Sequence, residues 1–550
     1  MAVNRAGIVD RNLVTHLEAL SPGAPRLDPD APVREGSALT ARRALALFQS
    51  QLESRHLDLA ARALKARNEC FYTIGSSGHE GNCVVAEASR PTDPAFLHYR
   101  SGAFYVQRGR QVPGATPLFD VLLGLAASKD EPIAGGRHKV FGSKLLEIPP
   151  QTSTIASHLP KAVGMARAIG EDPGDERVVL CTFGDASANH STAVGAINYA
   201  EWLAHQDVAC PVLFVCEANG IGISTPPPGA WIQTTYGQRA NLAYVYGDAL
   251  DLPDAHDAAQ AAVAWVREHR RPGFLHLRTV RLLGHAGSDV ESTYRSPAEI
   301  AAVEAMDPLL RTAALLVEGG WLRPAEAVAT YEGVRTRVAA LAEEAIRRPK
   351  LTDRHEVLAA LAPHSAVAVR AEATRAAAEA DRRRLFGGEL PEDDKPKHLA
   401  VQVNRALHDA MLLDGRVRLF GEDVARKGGV YHLTAGLQKA FGAGRVFDML
   451  LDEQSILGTA IGYAQAGYLP VPEIQYLAYF HNACDQVRGE AGSLHYFSQG
   501  QFKNPMVVRI AGYAYQKGFG GHFHNDNSIA ALRDIPGLVV ALPARGDDAV

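Results

Sequence analysis

Two motifs in the first half of the chain place oxygen donors directly after apolar runs. The run RVVLCTFG leads into Asp185, and the run PVLFVCEA leads into Asn219. The spacing suits a strand–helix–strand unit, and a right-handed crossover brings both strand ends to one edge of a sheet, where ligands bind. A carboxylate and an amide oxygen are hard donors that suit Mg²⁺ bound to phosphate. Taken alone, Gly-Asp and Asn-Gly are also ordinary turn residues.

A second pair of motifs offers groups that can bind an anion. His98-Tyr99-Arg100 follows an apolar pair, and the guanidinium of Arg100 is a planar fork that matches phosphate oxygens. His285 lies in the polar loop GHAGSDVESTYRS, where it can donate a proton or bind an anion. The alternatives are a surface ion pair for Arg100 and a solvated loop position for His285.

The second half contributes one carboxylate and one histidine. Glu453 precedes the apolar-faced helix SILGTAIGYAQAG, and His524 lies in the glycine-flanked segment GGHFHNDNS. A Glu at a helix start is normally an electrostatic cap. Partial burial would instead tune its pKa so that the carboxyl group could bond a cofactor ring nitrogen.

Alternating strand and helix patterns must position these residues. In the first half, residues 177–185, 211–220 and 274–282 are predicted strands and 191–205 a helix. In the second half the predicted strands are RVRLFGED, RVFDMLLDE, YLPVPEIQ, NPMVVRIAG and GLVVALP, with helices VNRALHDAML and SILGTAIGYAQAG. This alternation predicts an α/β fold with two doubly wound parallel sheets.

Composition shifts suggest how the chain divides. Residues 1–45 are polar and are expected to form a poorly packed N-terminal arm, and 46–345 to form the first domain. The Ala-, Glu- and Arg-rich stretch 298–385 predicts solvated connector helices, and 346–398 is a helical and charged linker. Residues 399–550 form the second domain.

Overall composition excludes several classes of function. The 550 residues carry a net charge of −5, which gives no footprint for nucleic acid or an anionic membrane. Six cysteines without a Cys-x-x-Cys pair favour neither a zinc site nor a disulfide framework. Because no apolar run suits a signal peptide or a bilayer span, we expect a cytoplasmic protein.

The order of the motifs is more specific than any one of them. HYRSGAFYVQRG, TSTIASHLPKAVGMA, GDASANHSTAVGAINYA and CEANGIGISTP, together with FYTIGSSGHEG and GHAGSDVESTYRS, resemble the alpha subunit of thiamine-diphosphate-dependent 2-oxo acid dehydrogenases. LFGEDVARKGGVYHLTAGLQKAFGAGRVFD, LLDEQSILGTAIGYAQAGYLPVPEIQYLAYFHNACDQ and HFHNDNSIAALRDIPGLVV resemble the beta subunit. The resemblance spans about 70–300 and 400–550, so the chain looks like an alpha–beta fusion.

The resemblance implies thiamine diphosphate and Mg²⁺ as cofactors. Asp185 and Asn219, with the backbone carbonyl of Ile221, match the metal ligands, and Glu453 matches the glutamate that bonds the aminopyrimidine nitrogen. His285 and His524 match active-site histidines. The remaining matches to cofactor- or substrate-lining positions are Tyr99, Arg100, Ser153, Ile155, Gly184, Ala186, Gln475 and Tyr479.

The implied reaction is decarboxylation of a small 2-oxo acid, followed by acyl transfer to a lipoyl group on an acyltransferase partner. HYRSG and GGRHKVFG lean toward the branched-chain members over pyruvate. Since the two domains of the family belong to different subunits, at least a dimer of fused chains is expected. The family's beta subunits continue into a further C-terminal domain beyond the point that matches residue 550, so we expect either a truncated fragment or a chain that depends on something else for that domain.

Several positions depart from the family pattern. Ala186 stands where a Gly is usual, Ala218 replaces the first of two paired Asn, and Asn525-Asp526 replaces Ser-Gln. Animal relatives carry a phosphorylatable Ser after the loop histidine, where this sequence has Ala-Gly.

Other functions fit the sequence less well. An acetoin-cleaving or transketolase-like enzyme would share the cofactor, and a catalytically silent assembly subunit would share the fold. A dinucleotide-dependent dehydrogenase ranks last, since no Gly-x-Gly-x-x-Gly follows a first strand.

Overall fold

Two parallel sheets, one in each half of the chain, confirm the predicted α/β class. The computed structural model describes residues 4–70, 74–138, 140–361, 365–513 and 521–550. Residues 71–73 of the segment FYTIGSSGHEG and residue 139 of GGRHKVFG therefore lie outside the described residues.

The first sheet has five parallel strands in the order β1-β2-β3-β5-β4. Their bounds are β1 Ala95–Phe96, β2 Val179–Gly184, β3 Val212–Ala218, β4 Ala243–Asp248 and β5 Gly273–Arg278. Helices cover both faces, as a buried parallel sheet requires. They are α1 Arg5–Ala19, α2 Ala41–Ala66, α3 Cys83–Ala88, α4 Gly102–Arg110, α5 Pro117–Leu125, α6 Leu159–Gly170, α7 Ser191–His205, α8 Trp231–Tyr236, α9 Leu252–His269, α10 Pro297–Glu304, α11 Pro308–Glu318 and α12 Pro324–Arg347.

Three short helices lead to the second sheet, which has four parallel strands. The short helices are α13 Arg354–Leu358, α14 Ala366–Ala373 and α15 Glu379–Leu385. The sheet order is β7-β6-β8-β9, with β6 Val417–Gly421, β7 Val446–Asp448, β8 Leu469–Ile474 and β9 Arg509–Ile510. Its helices are α16 Leu399–Leu413, α17 Leu437–Phe441, α18 Glu453–Gln465, α19 Leu477–Phe480, α20 Gly492–Phe497, α21 Gly521–His524, α22 Ala530–Arg533 and α23 Gly546–Ala549.

The expectation of a poorly packed arm is wrong for α1. Val9, Leu13 and Leu17 recur every fourth residue, and all three are buried. Asp10 accepts hydrogen bonds at 2.6 Å from the Tyr331 hydroxyl and at 2.8 Å from Arg335. The stripe of one apolar residue per helical turn outweighs the polar composition of the segment.

The predicted solvated connector is only partly confirmed. Helices α11 and α12 belong to the core of the first half, where Leu309, Leu316 and Val338 are buried. Helices α13, α14 and α15 bury no residue, as expected. The Ala-rich composition concealed the core-facing stripe, because Ala fits both a packed and a solvated helix face.

One predicted strand does not form. GLVVALP is not part of either sheet, and Val539 is 98% exposed. The second sheet ends at β9, so the segment has no hydrogen-bonding partner among the described residues. An apolar run without a neighbouring strand leaves its backbone groups to solvent, which removes the stabilisation of a sheet.

The two halves pack through α6 and α18. Gly164 of α6 faces Thr459, and Gly458 and Gly462 of α18 face Pro160 and Lys161. A Cβ at any of these three glycines would overlap the opposite helix. The absence of a side chain therefore lets the two helix backbones approach closely.

The remaining sequence expectations concern cysteines and membrane segments. All six cysteines are free thiols, and five of them are buried. Within the described ranges, no helix is both long and apolar enough to cross a bilayer.

Candidate active site at the junction of the two halves

The structure brings Asp185 and Asn219 to one edge of the first sheet. Strands β2 and β3 pair in parallel, with Gly184 opposite Glu217, so both chains leave the sheet side by side. The Asp185 carboxylate accepts hydrogen bonds from the backbone N–H of Gly220 at 2.9 Å and of Ala186 at 3.0 Å. These bonds fix the carboxylate against the turn that carries Asn219 and Ile221.

The Asp185 carboxylate is suited to a cation. Its residue is only 3% exposed, and burial raises the pKa of the carboxyl group. It forms no ion pair with any described residue, whereas buried charges in proteins are normally paired or bind a metal. A buried carboxylate beside the Asn219 amide and the Ile221 backbone therefore fits a divalent cation with open positions for phosphate.

Tyr99, Arg100 and His285 lie close together. Arg100 donates to the Gly75 carbonyl at 2.6 Å and to the His285 carbonyl at 3.0 Å, and its guanidinium lies 5.2 Å from the Tyr99 ring centre. Burial, reinforced by the charges of Arg100 and Arg281, lowers the pKa of His285 to about 4. The histidine is therefore neutral at neutral pH and can accept or relay a proton.

Four other predicted positions surround this edge or its approach. Gly184 ends β2, and Ala186 lies where the turn at Gly222 comes close to its methyl group. Ser153 and Ile155 are exposed in the loop before α6, and Ile155 is 38% exposed. No described contact joins these two residues to Asp185, so their roles stay predictions.

In the second half, Glu453 is the first residue of α18. Asp452 caps the helix by accepting from the Gln454 N–H at 3.2 Å, which leaves Glu453 free of the capping role. The Glu453 carboxylate accepts from the Asn482 amide at 2.9 Å. The start of the helix therefore presents a half-buried carboxylate that does not serve as the helix cap.

His524 and Tyr479 form a pair near the same helix. The Tyr479 hydroxyl lies 2.8 Å from His524 Nε2, and Gln475 directly follows β8. Tyr479 and Asn482 lie in one short segment after β8, so the hydrogen bonds of His524 and of Glu453 both run to that segment.

Contacts between the halves join these two sets of residues. Thr192, in the first turn of α7 shortly after Asp185, donates to the side chain of Gln454, the neighbour of Glu453. Deeper in the same interface, Lys161 and Glu490 form a buried ion pair. The helix that follows Asp185 and the start of α18, which carries Glu453, therefore meet at the contact between the two halves.

Sequence reasoning missed two groups at this junction. Glu422, after β6, has its pKa raised to about 7 by burial and by the charges of Glu453, Asp423 and Asp452.

His79, His98 and Glu217 form a buried cluster behind Asn219. Burial lowers the pKa of His79 to about 4. Burial opposes ionisation of Glu217, but His98 and His79 lower its pKa to about 2. The acidic residue after β6 and the charged end of β3 were the available signals.

Two family models match the chain in sequence order. The model described as dehydrogenase E1 component matches residues 49–353, and that described as transketolase, pyrimidine binding domain, matches residues 398–550. The first match covers more than half of the chain. An alpha-type domain is therefore followed by a pyrimidine-binding domain of the beta type in one polypeptide.

Curated relatives match the second half. The 3-methyl-2-oxobutanoate dehydrogenase subunit beta of Mycobacterium tuberculosis is 41% identical over 148 residues, which is 27% of this chain and 42% of the relative. The 2-oxoisovalerate dehydrogenase subunit beta of Pseudomonas aeruginosa is 40% identical over 152 residues, again 27% and 42%. The pyruvate dehydrogenase E1 component subunit beta of Staphylococcus epidermidis is 39% identical over 152 residues, 27% and 45%. The chain thus spans less than half the length of these relatives.

The family context agrees with the donor set at the junction. Its members depend on thiamine diphosphate, with Mg²⁺ as the usual metal. The buried Asp185 carboxylate, which has no ion-pair partner among the described residues, is suited to the metal. The two matched domains stand in one polypeptide. The chain belongs to the dehydrogenase E1 component family.

Proposed function

We propose that this chain catalyses the oxidative decarboxylation of a 2-oxo acid and passes the acyl group to a lipoyl acceptor. The observation that carries the proposal is the junction itself. The buried Asp185 carboxylate on one half and the Glu453 carboxylate on the other border it, and the Thr192–Gln454 hydrogen bond joins the elements that present them.

The first half would hold the metal and the diphosphate. Asp185, Asn219 and the carbonyl of Ile221 would bind Mg²⁺. Tyr99, Arg100 and His285 would contact the diphosphate, with Gly184 and Ala186 at its side. Arg100 already ties the 284–296 loop to Gly75, so the diphosphate side of the site is organised by this chain's own contacts.

The second half would supply the side chains that take part in proton transfer. Glu453 would bond the aminopyrimidine nitrogen, since its carboxyl group is neither the helix cap nor ion-paired with a described residue. His524, positioned by Tyr479, would handle a proton at the substrate, and Gln475, Ser153 and Ile155 would line the pocket. Thiamine diphosphate, when bound, supplies the electron sink for the pair released as carbon dioxide leaves.

The finer features of the proposal follow the resemblance. We favour a branched-chain 2-oxo acid over pyruvate, although relatives of both names match. A lipoylated acyltransferase is the proposed partner, and at least a dimer of fused chains in the cytoplasm is the proposed form.

A dye-coupled decarboxylation assay over a panel of 2-oxo acids, with Mg²⁺ and thiamine diphosphate, tests the proposal. Asp185→Ala should lose cofactor affinity in calorimetry, because the carboxylate is the charged member of the metal set. Glu453→Ala should bind the cofactor but lose turnover by about 100-fold or more, as expected for a lost acid–base group.

Glu372→Ala, which removes an exposed carboxylate from α14, is the matched control and should behave as the wild type. Normal turnover by Glu453→Ala would refute the role given to that residue. Cofactor binding without turnover of any 2-oxo acid would favour a silent assembly subunit, and ketol transfer a transketolase-like enzyme.

A further inference from the structure

A buried cluster lies directly behind the proposed metal ligand Asn219. His79 and Glu217 are fully buried and His98 is 8% exposed. His79 Nδ1 lies 2.7 Å from Glu217 Oε2, and His98 Nε2 lies 3.2 Å from Glu217 Oε1. The resemblance assigned none of these three residues a role, and the proposed reaction does not use them.

The hydrogen bonds of His79 run in one direction. Its Nε2 atom lies 3.0 Å from the amide nitrogen of Asn219, which can only donate. His79 Nε2 is therefore the acceptor, and its proton lies on Nδ1, where it is donated to Glu217. The Glu217 carboxylate thereby selects the tautomer of His79.

The same geometry fixes the orientation of the Asn219 amide. With its nitrogen bonded to His79, Oδ1 faces the 219–221 turn and accepts from the Ile221 N–H at 3.1 Å. An amide rotated by half a turn would place its oxygen against the Nε2 lone pair of His79. The His79 contact therefore keeps the oxygen, the only metal-binding atom of this side chain, toward the turn.

The cluster is better described as a hydrogen-bond network than as a second metal site. The carboxylate of Glu217 also accepts from the Asn82 amide at 3.2 Å, and both ring nitrogens of His79 are bonded. A metal ion would have to displace these bonds in a space that is closed to solvent.

We propose that His79, held by Glu217, is a positioning residue that presents the amide oxygen of Asn219 to the divalent cation. The inference rests on the proposed function, since it takes Asn219 as a ligand. Residues that orient metal ligands typically change metal affinity by about 10- to 100-fold when they are replaced.

Two amide substitutions separate the two ring nitrogens. His79→Asn places an amide near the Nδ1 position and can still bond Glu217, but it cannot reach Asn219. His79→Gln places an amide near the Nε2 position and keeps an acceptor for Asn219. The readout is the Mg²⁺ concentration at half-saturation of thiamine diphosphate binding, measured by calorimetry, beside the thermal unfolding midpoint without Mg²⁺.

We expect His79→Asn to raise that Mg²⁺ concentration by about 10-fold, while His79→Gln stays near the wild type. In an Asn219→Ala background, His79→Asn should add no further loss, because its effect passes through that amide. If His79→Asn does not fold, Glu217→Gln gives the second test, since an amide nitrogen at the Oε2 position would donate to Nδ1 and shift the ring proton to Nε2. Glu217→Gln should then raise the Mg²⁺ requirement.

The outcomes distinguish this inference from the proposed function. A wild-type chain without Mg²⁺-dependent binding, or an Asn219→Ala variant with unchanged Mg²⁺ dependence, would contradict the proposed metal set and the inference with it. Suppose instead that the wild type binds and that Asn219→Ala weakens this binding. The inference alone is then overturned if His79→Asn leaves the Mg²⁺ concentration at half-saturation unchanged. It is also overturned if His79→Asn raises that concentration as much in the Asn219→Ala background as in the wild type.

Discussion

At the scale of single residues, hydrogen bonds to the backbone organise the site. Arg100 contacts two carbonyl groups that are far apart in sequence, those of Gly75 and His285. The backbone N–H groups of Ala186 and Gly220 hold Asp185 in the same way. Side chains with fixed backbone partners lose little freedom when a ligand binds, which favours affinity.

Arg100→Lys should weaken thiamine diphosphate binding and loosen the 284–296 loop. A Lys ammonium cannot span both carbonyl groups in the geometry of the guanidinium fork. Leaving one buried carbonyl without a donor costs about 1–3 kcal/mol. Calorimetry measures the affinity for thiamine diphosphate, and limited proteolysis measures how accessible the 284–296 loop is to a protease. Unchanged values for both would show that the fork geometry is unimportant.

At the scale of elements, the α6–α18 contact joins the two halves of the chain that carry the proposed site residues. The three glycines Gly164, Gly458 and Gly462 allow the two backbones to approach, and the α18 start carries Glu453. A change in the spacing of these helices would therefore move Glu453 relative to Asp185.

Gly462→Ala should destabilise the fold by about 1–3 kcal/mol, because the added methyl group would overlap the Lys161 backbone. Gly333→Ala is the matched control. It lies in the exposed part of α12 with open space around it, so it should stabilise the protein by about 0.5–1 kcal/mol. Chemical unfolding measures both. Equal effects of the two substitutions would show that the helices tolerate a wider spacing.

At the scale of the whole molecule, one buried ion pair connects the halves. Lys161 of α6 pairs with Glu490, and both side chains are 1% exposed. Glu490 also accepts from the Thr152 hydroxyl at 2.8 Å and from Ser157. A buried pair of this kind gives little net stability but is costly to break on one side.

Lys161→Met should destabilise the protein by about 3–5 kcal/mol, because it leaves the Glu490 carboxylate buried without its cation. The double variant Lys161→Met/Glu490→Leu should recover most of that loss, since no unpaired charge remains. Urea unfolding measures each variant. A double variant as unstable as the single one would mean that packing rather than charge controls this interface.

Buried histidines should make the folded protein sensitive to acid. Burial lowers the pKa of His56 to about 3, and that of His158 to about 4. Below about pH 6.5 the unfolded chain takes up these protons and the folded chain does not. Their contribution to stability is therefore complete above about pH 6.5 and is lost as the pH falls toward 4.

Each such group lowers the free energy of unfolding by at most about 1.4 kcal/mol per pH unit in that range. His56→Phe keeps the ring contact with Tyr331, whose centre is 4.3 Å away, but cannot titrate. Unfolding at pH 7 and pH 4.5 should show a smaller acid loss for this variant. The same loss in variant and wild type would remove His56 as a cause.

Local patterns predicted much of the fold. The helix at Ser191–His205 and the strands β2, β3 and β8 were predicted because their apolar runs and turn residues are unambiguous. The predictions failed where packing decides. Helix α1 packs against α12, whereas GLVVALP does not pair with a strand of the second sheet.

The sequence by itself determined which chemistry the chain can offer: Asp185, Asn219, Arg100, His285 and Glu453 were identified from residue type, strand ends and motif order. Only the tertiary structure decided how they are arranged. Parallel pairing of β2 and β3 aligned the first two, and the α6–α18 contact brought Glu453 to the same junction. The support behind Asn219 was also invisible, because His79, His98 and Glu217 are distant in sequence and meet only when the sheet forms.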